Sequence, residues 1–226
     1  MSRYIVAAVT DYFKERIKDK NFYFINKKKN LNLKNIKKIN PKIIFFPHWN
    51  WKIKNSILKR YLCIGFHSTP LPYGRGGSPV QNMIVRGRKI STVCAIKLES
   101  KLDSGPIYLK KNFKLDGRAE IIFGKIYKII LSMIVALIKK VPKPKKQLGK
   151  IYYFKRRKPE ESNIGNLKSL NKVYDYIRML DTDVKNFPLA FVSTSNLFIQ
   201  FKYAKKEKNV VVAKALITTN KLNNFH

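Results

Sequence analysis

Acidic residues are scarce in this chain. Thirteen Asp+Glu face 48 Lys+Arg across 226 residues, a formal net charge of +35. A field of that sign draws polyanions: nucleic acid, acidic membrane or nucleotide-linked substrates. Only ten of the basic residues are arginine, and the lysines are scattered rather than gathered on one element. A general drift toward Lys, Asn and Ile gives the same totals without a polyanion, and it is the simpler account. Cysteine is nearly absent. Cys63 and Cys94 lie in apolar, strand-like runs with no metal or redox spacing, so they read as buried free thiols of a reducing compartment. Histidine occurs three times, at His48, His67 and His226. The chain has no HExxH, paired CxxC, GxxxxGK[ST] or GxGxxG, which removes zinc hydrolysis, P-loop chemistry and a dinucleotide fingerprint. The apolar run near the N-terminus is too short for a signal peptide. The longest one, residues 119–138, is broken by Glu120, Lys125 and Lys128. A membrane span tolerates such charges poorly, so a buried helix and a cytoplasmic protein are expected.

What is present is enough for a sizeable core: 45% of residues are hydrophobic and 12% aromatic, which also excludes intrinsic disorder. Short continuous apolar runs (RYIVAAV, FYFIN, KIIFF, CIGFH) alternate with helical patterns over the first hundred residues. That alternation predicts an α/β fold, a mostly parallel sheet with helices on both faces. Ligands of such sheets bind beyond the carboxyl ends of the strands, where PHWN (47–50) and HSTPLPYGRGGSP (67–79) fall. PVQNMIVRG then reads as a helix, ISTVCAIKLES as a strand, KLDSG as a turn and PIYLKKNFKL as an extended arm. KVPKPKKQLGK (140–150) has two prolines and no apolar pattern, so a boundary is placed at 142/143. Residues 1–142 would be the main domain and 143–226 a small helix-plus-β subdomain with a frayed end, KLNNFH.

The segment 63–79 crowds three prolines, four glycines and one histidine into seventeen residues. A histidine in an apolar strand is ordinarily a satisfied core residue. Here a rigid Pro/Gly loop follows it directly, and Asp103 waits in the LDSG turn. Acyl transfer to an amine needs a proton acceptor, an oxyanion donor and a carboxylate to orient the imidazole. Arg75 can brace its loop through carbonyls or hold a substrate phosphate. The helix from residue 119 is too apolar for a solvated face; a subunit interface, hence a homodimer, is its second reading.

These residues resemble a known family. HSTPLPYGRGGSP is similar to the H-x-[ST]-x-L-P-x-x-R-G-x-x-P signature of formyltransferases that use 10-formyltetrahydrofolate. LDSG resembles their L-D-x-G signature, with Asp103 falling 36 residues after His67. YYFKRRKPEESNI, followed by IRMLD and FPLAF, looks like the start of their C-terminal part. The resemblance implies the formyltransferase fold, Rossmann-like with a small C-terminal helix/β subdomain, and a metal-free reaction. It implies that His67 meets the formyl oxygen or relays the amine proton while Asp103 positions and charge-stabilises it. The pterin of the folate would sit between Phe46, Pro47, His48 and Trp49 on one side and Leu102 and Gly105 on the other. The family's Asn two residues before the His is Gly65 here. Asn50 and His48 are the candidates to replace it, with turn chemistry after a strand as the plain alternative. The wording around His67 is most similar to formyltransferases acting on nucleotide-linked amino sugars of surface polysaccharides and nonulosonic acids, so such a sugar is the expected acceptor. Only about 70 residues follow KRRKPEE, short for a tRNA-binding barrel. Nucleic acid is therefore not expected; methionyl-tRNA is the alternative acceptor, and a silent folate- or sugar-nucleotide-binding relative the other.

Overall fold

The computed structural model describes residues 2–183 and 188–219. Phe187 of the FPLAF run, and the tail 220–226 with His226, lie outside them. The described chain forms two compact units that interleave in sequence. The first takes residues 2–76, 92–113 and 125–153, the second 77–91, 114–124, 154–183 and 188–219.

The first unit is built on strands that are apolar on both faces. β1 (Tyr4–Ala8) buries every side chain and leads through α1 (Tyr12–Arg16) to β2 (Phe22–Ile25). α2 (Leu33–Ile39) is capped by Asn32, whose side chain accepts the Asn35 N–H at 2.9 Å, and it stops at Asn40 in the left-handed region, φ 50°. β3 (Ile43–His48), one turn of helix α3 (Asn55–Leu58) and β4 (Cys63–His67) follow. β5 (Tyr73–Gly76) and α4 (Pro79–Val85) precede β6 (Ile90–Lys97) and β7 (Ile107–Lys114). The sheet order is β2-β1-β3-β4-β6-β7. β2, β1, β3 and β4 are parallel, and β6 runs antiparallel to β4. In this register Phe46 stands opposite Gly65, Gly65 opposite Ile96, and His67 opposite Cys94. The core beneath gathers Ile5, Ile36, Ile44, Phe46 and Ile57, with Trp49 and Leu98 packed at its margin.

Two features add to the expected outline. The GRG stretch is not only loop: β5 pairs with β8 (Tyr152–Phe154) in a two-stranded ladder. The segment 140–150 is anchored, since Lys145 and Ile107 exchange backbone hydrogen bonds of 2.8 and 2.9 Å. α5 (Ala119–Lys139) buries a stripe of Ile122, Ile126, Ile130, Met133 and Leu137 at three- and four-residue spacing. Its other side carries Ile121 and Val135, each about half exposed. Among the described residues it is the one helix long and apolar enough to cross a membrane, and 33% of its most apolar window is buried. The helix expected to be buried is buried along one stripe.

In the second unit α6 (Leu170–Arg178) packs on an antiparallel meander of β9 (Ala190–Ser193), β10 (Leu197–Lys206) and β11 (Val211–Thr219). Buried Arg178 ties α6 down by donating to the carbonyls of Leu115 and Gly117 at 2.6 and 3.0 Å and pairing with Asp175 at 2.7 Å.

Candidate active site

Strand β4 ends on His67, which is only 8% exposed. The chain then turns back on itself through a cis Leu71–Pro72 peptide, and Gly74 and Gly76 take φ 81° and 109°. Those angles are open to glycine and closed to most L side chains, which explains the glycines at 74 and 76. The fold-back sets the Gly74 carbonyl 2.7 Å from His67 Nε2 and 3.1 Å from the Thr69 hydroxyl. A carbonyl only accepts, so Nε2 carries the hydrogen and the other ring nitrogen faces away from it. That nitrogen, Nδ1, lies 3.6 Å from Asp103 Oδ2, the distance of an ion pair rather than of a hydrogen bond.

Asp103 is itself held. Its Oδ2 accepts the Gly76 N–H at 2.9 Å, and its backbone is left-handed at φ 48°. Gly105 closes the turn against β6: a Cβ there would stand 1.8 Å from the Lys97 carbonyl oxygen, so no side chain fits. Leu102, at the tip, is 61% exposed.

Gly65 is explained by its neighbour. A Cβ at this position would come within 2.5 Å of Leu98 Cδ2. Leu98 therefore occupies the space a larger residue at 65 would need, and no side-chain donor stands there. His48, at the end of β3, is engaged elsewhere: its Nδ1 lies 2.8 Å from the Tyr127 hydroxyl, and burial lowers its pKa. Asn50 is exposed on the loop beyond. Phe46 and Pro47 are buried within β3. Trp49 packs edge-on to Phe46 and Trp51, and its indole N–H is buried without a hydrogen-bond partner among the described residues.

One residue of the site went unread in the sequence. Gln147 donates from Nε2 to the carbonyls of Asp103 and Gly105, both at 2.8 Å. Its Oε1 accepts from Arg75 Nε and Nη2 at 3.1 and 2.7 Å. Arg75 is thus a brace, and the partner it braces against comes from the Pro/Lys segment after α5. No local pattern marks a glutamine in such a segment.

The arrangement suits one proton transfer. A neutral imidazole whose Nε2–H is committed to Gly74 can take a proton only at Nδ1. The cation so formed meets the Asp103 carboxylate on one side and the Gly74 carbonyl on the other.

The chain as a whole is similar to known proteins. Residues 159–218 match the family model described as methionyl-tRNA formyltransferase, C-terminal domain. A solved structure of methionyl-tRNA formyltransferase from Clostridium thermocellum is 38% identical, with a TM-score of 0.90 over 97% of this chain and 100% of that one. The methionyl-tRNA formyltransferase of Thermodesulfovibrio yellowstonii is 28% identical over 73% of this chain and 53% of its own length. The chain therefore spans about half the length of that curated relative. A 4-N formyltransferase from Francisella tularensis, 13% identical, shares the fold, with a TM-score of 0.65 over 86% of this chain and 93% of that one.

Proposed function

Since the chain belongs to the formyltransferase family, we propose that it transfers a formyl group from 10-formyltetrahydrofolate to a primary amine, with His67 and Asp103 at the reacting centre. The observation that carries this reading is the pair of buried His67 and half-buried Asp103, 3.6 Å apart, with each partner fixed by the 74–76 backbone. His67 Nδ1 takes the proton of the attacking amine. Asp103 and the Gly74 carbonyl then hold the imidazolium, which lowers the barrier by stabilising charge where it appears. As the C–N bond to the folate breaks, that proton would pass from Nδ1 to the leaving nitrogen, releasing tetrahydrofolate while the formyl oxygen, which carried the negative charge, regains its carbonyl. We assign Asn50, reaching in from its exposed loop, a supporting contact to the same oxygen.

The donor, when bound, supplies the activated formyl carbon. The residues fit its pterin. The orphan indole N–H of Trp49 offers a donor to a flat ring rich in acceptors, and exposed Leu102 offers an apolar face. The backbone of Phe46, Pro47 and His48 and the turn at Gly105 would complete the pocket, and no residue is assigned to a metal. Two buried free thiols suit a reducing, cytoplasmic setting.

For the acceptor we favour the amine of methionyl-tRNA over the sugar amine expected from the sequence. The 38%-identical structure and the matched C-terminal model both carry that name, and a charge of +35 suits a polyphosphate partner. A nucleotide-linked amino sugar is the second reading, favoured by the wording around His67 and equally suited to a basic surface. Tetrahydrofolate release should be measured with initiator methionyl-tRNA and with a panel of nucleotide-linked amino sugars. Turnover with one class names the acceptor. His67→Ala and Asp103→Asn should each lower kcat by about 10²–10⁴-fold, the usual worth of a positioned acid–base group. Folate binding without turnover of any acceptor would make the chain a binding relative, and unchanged kcat in Asn50→Ala would remove Asn50.

A further inference from the structure

We propose that Gln147 is a positioning residue that holds Asp103 in place against His67. The proposal rests on formyl transfer as the reaction, and its geometry is a closed ring of contacts. His67 bonds to Gly74 O, Arg75 to Gln147, Gln147 to the carbonyl of Asp103, and Asp103 returns to His67 at 3.6 Å. Gly74, Arg75 and Gly76 are consecutive, and each holds a different member of the set.

Two features make Gln147 more than a filler. Arg75 is 5% exposed, and two of its N–H groups converge on the single oxygen Oε1. At the other end Nε2 spends both its hydrogens on carbonyls that flank Ser104. An uncharged amide is the side-chain group that accepts from a guanidinium while donating twice to carbonyls; an ionised carboxylate accepts only, and an ammonium donates only. The turn it grips contains Asp103 at φ 48°, a conformation L residues avoid unless something holds them there. Its own backbone is anchored nearby, through the paired hydrogen bonds of Lys145 with Ile107.

The test separates the two ends of the amide. In Gln147→Glu the carboxylate still accepts from Arg75, so the brace survives, but the two donated bonds are lost. Gln147→Ala loses both. Full-length wild type and both variants are compared for kcat, for the KM toward the folate donor, and for amide hydrogen exchange of residues 101–106. We expect kcat to fall roughly 10- to 100-fold in both, the scale of a displaced catalytic group, with the donor KM changed by less than about 2-fold and exchange at least about 10-fold faster. Wild-type kcat in Gln147→Glu would overturn the proposal, leaving Gln147 as a partner for Arg75 alone. Exchange unchanged in both variants would overturn it whatever the turnover. If wild type turns over no acceptor yet exchange quickens in both variants, the positioning role stands and the formyl-transfer reading falls.

Discussion

Gly65 and Leu98 compete for one volume, and that makes them a pair. Any side chain at 65 would have its Cβ 2.5 Å from Leu98 Cδ2, far inside normal contact. Leu98 can give way because the clash is with the end of a flexible side chain. Gly65→Asn alone should therefore cost about 1–3 kcal/mol of stability through overpacking. In a Leu98→Ala background the same change should cost at least about 1 kcal/mol less, since contacting residues couple. Denaturant unfolding of the four variants measures that coupling, and strict additivity would refute the shared volume. The departure from the Asn of the family signature is visible in the sequence at Gly65, but its compensation is not. Leu98 lies 33 residues later, just past the end of β6, and only the β4–β6 pairing, continued by the Leu98 N–H donating to the Cys63 carbonyl at 2.8 Å, brings it there. Gln147 was illegible for a similar reason: its meaning lies in two carbonyls and a guanidinium distant in sequence.

Strands that are apolar on both faces announce themselves, so β1 to β4 and their parallel pairing could be read from continuous runs of Ile, Val and Phe. The antiparallel direction of β6 could not, because side-chain alternation is the same whichever way a strand runs. Nor could the β5–β8 ladder, since GRG carries no strand propensity of its own. The burial of these strands has a chemical consequence. Desolvation pushes the Cys63 thiol up to about 12 and raises that of Cys94, which donates to the Thr69 carbonyl at 3.2 Å. Thiolate is the reactive form, so neither cysteine should react with a disulfide reagent at pH 8 in the native protein, and both should react once it is unfolded. Rapid native labelling of either would contradict the packing. At the end of β3 burial acts on a base instead. His48 is held below its ordinary value near 6.5, so the unfolded chain binds its proton first as pH falls. The stability contributed by neutral His48 is present above 6.5 and is lost as pH drops through the folded value. His48→Phe keeps an aromatic ring beside Tyr127 without a titrating group. Its melting temperature should fall less than that of wild type between pH 7 and pH 5; parallel curves would show that His48 does not contribute.

At the scale of the whole molecule the charge of +35 is legible in the sequence and yet does not identify the acceptor, because attraction to phosphate carries no information about what the phosphate belongs to. The two acceptors differ instead in how many phosphates are neutralised at once. A tRNA lying along a basic surface releases many counterions. With roughly six to ten phosphate contacts its affinity drops about 10³–10⁵-fold between 50 and 200 mM salt, by analogy with duplex DNA. A sugar nucleotide presents one pyrophosphate and should lose only a small part of that. Formyl transfer measured against salt therefore separates steering by the surface from recognition at the site. If methionyl-tRNA is the acceptor, its KM should climb steeply with salt while kcat and the KM toward the folate donor stay nearly level, since His67 is buried and Asp103 partly so, which leaves the pair weakly screened. A shallow dependence, with turnover of an amino sugar, would give the acceptor role to the sugar nucleotide and leave the lysines to compositional drift. Removing lysines in groups then makes the reading local. Under the tRNA reading, any group whose loss flattens the salt slope without changing kcat marks where the polyanion lies.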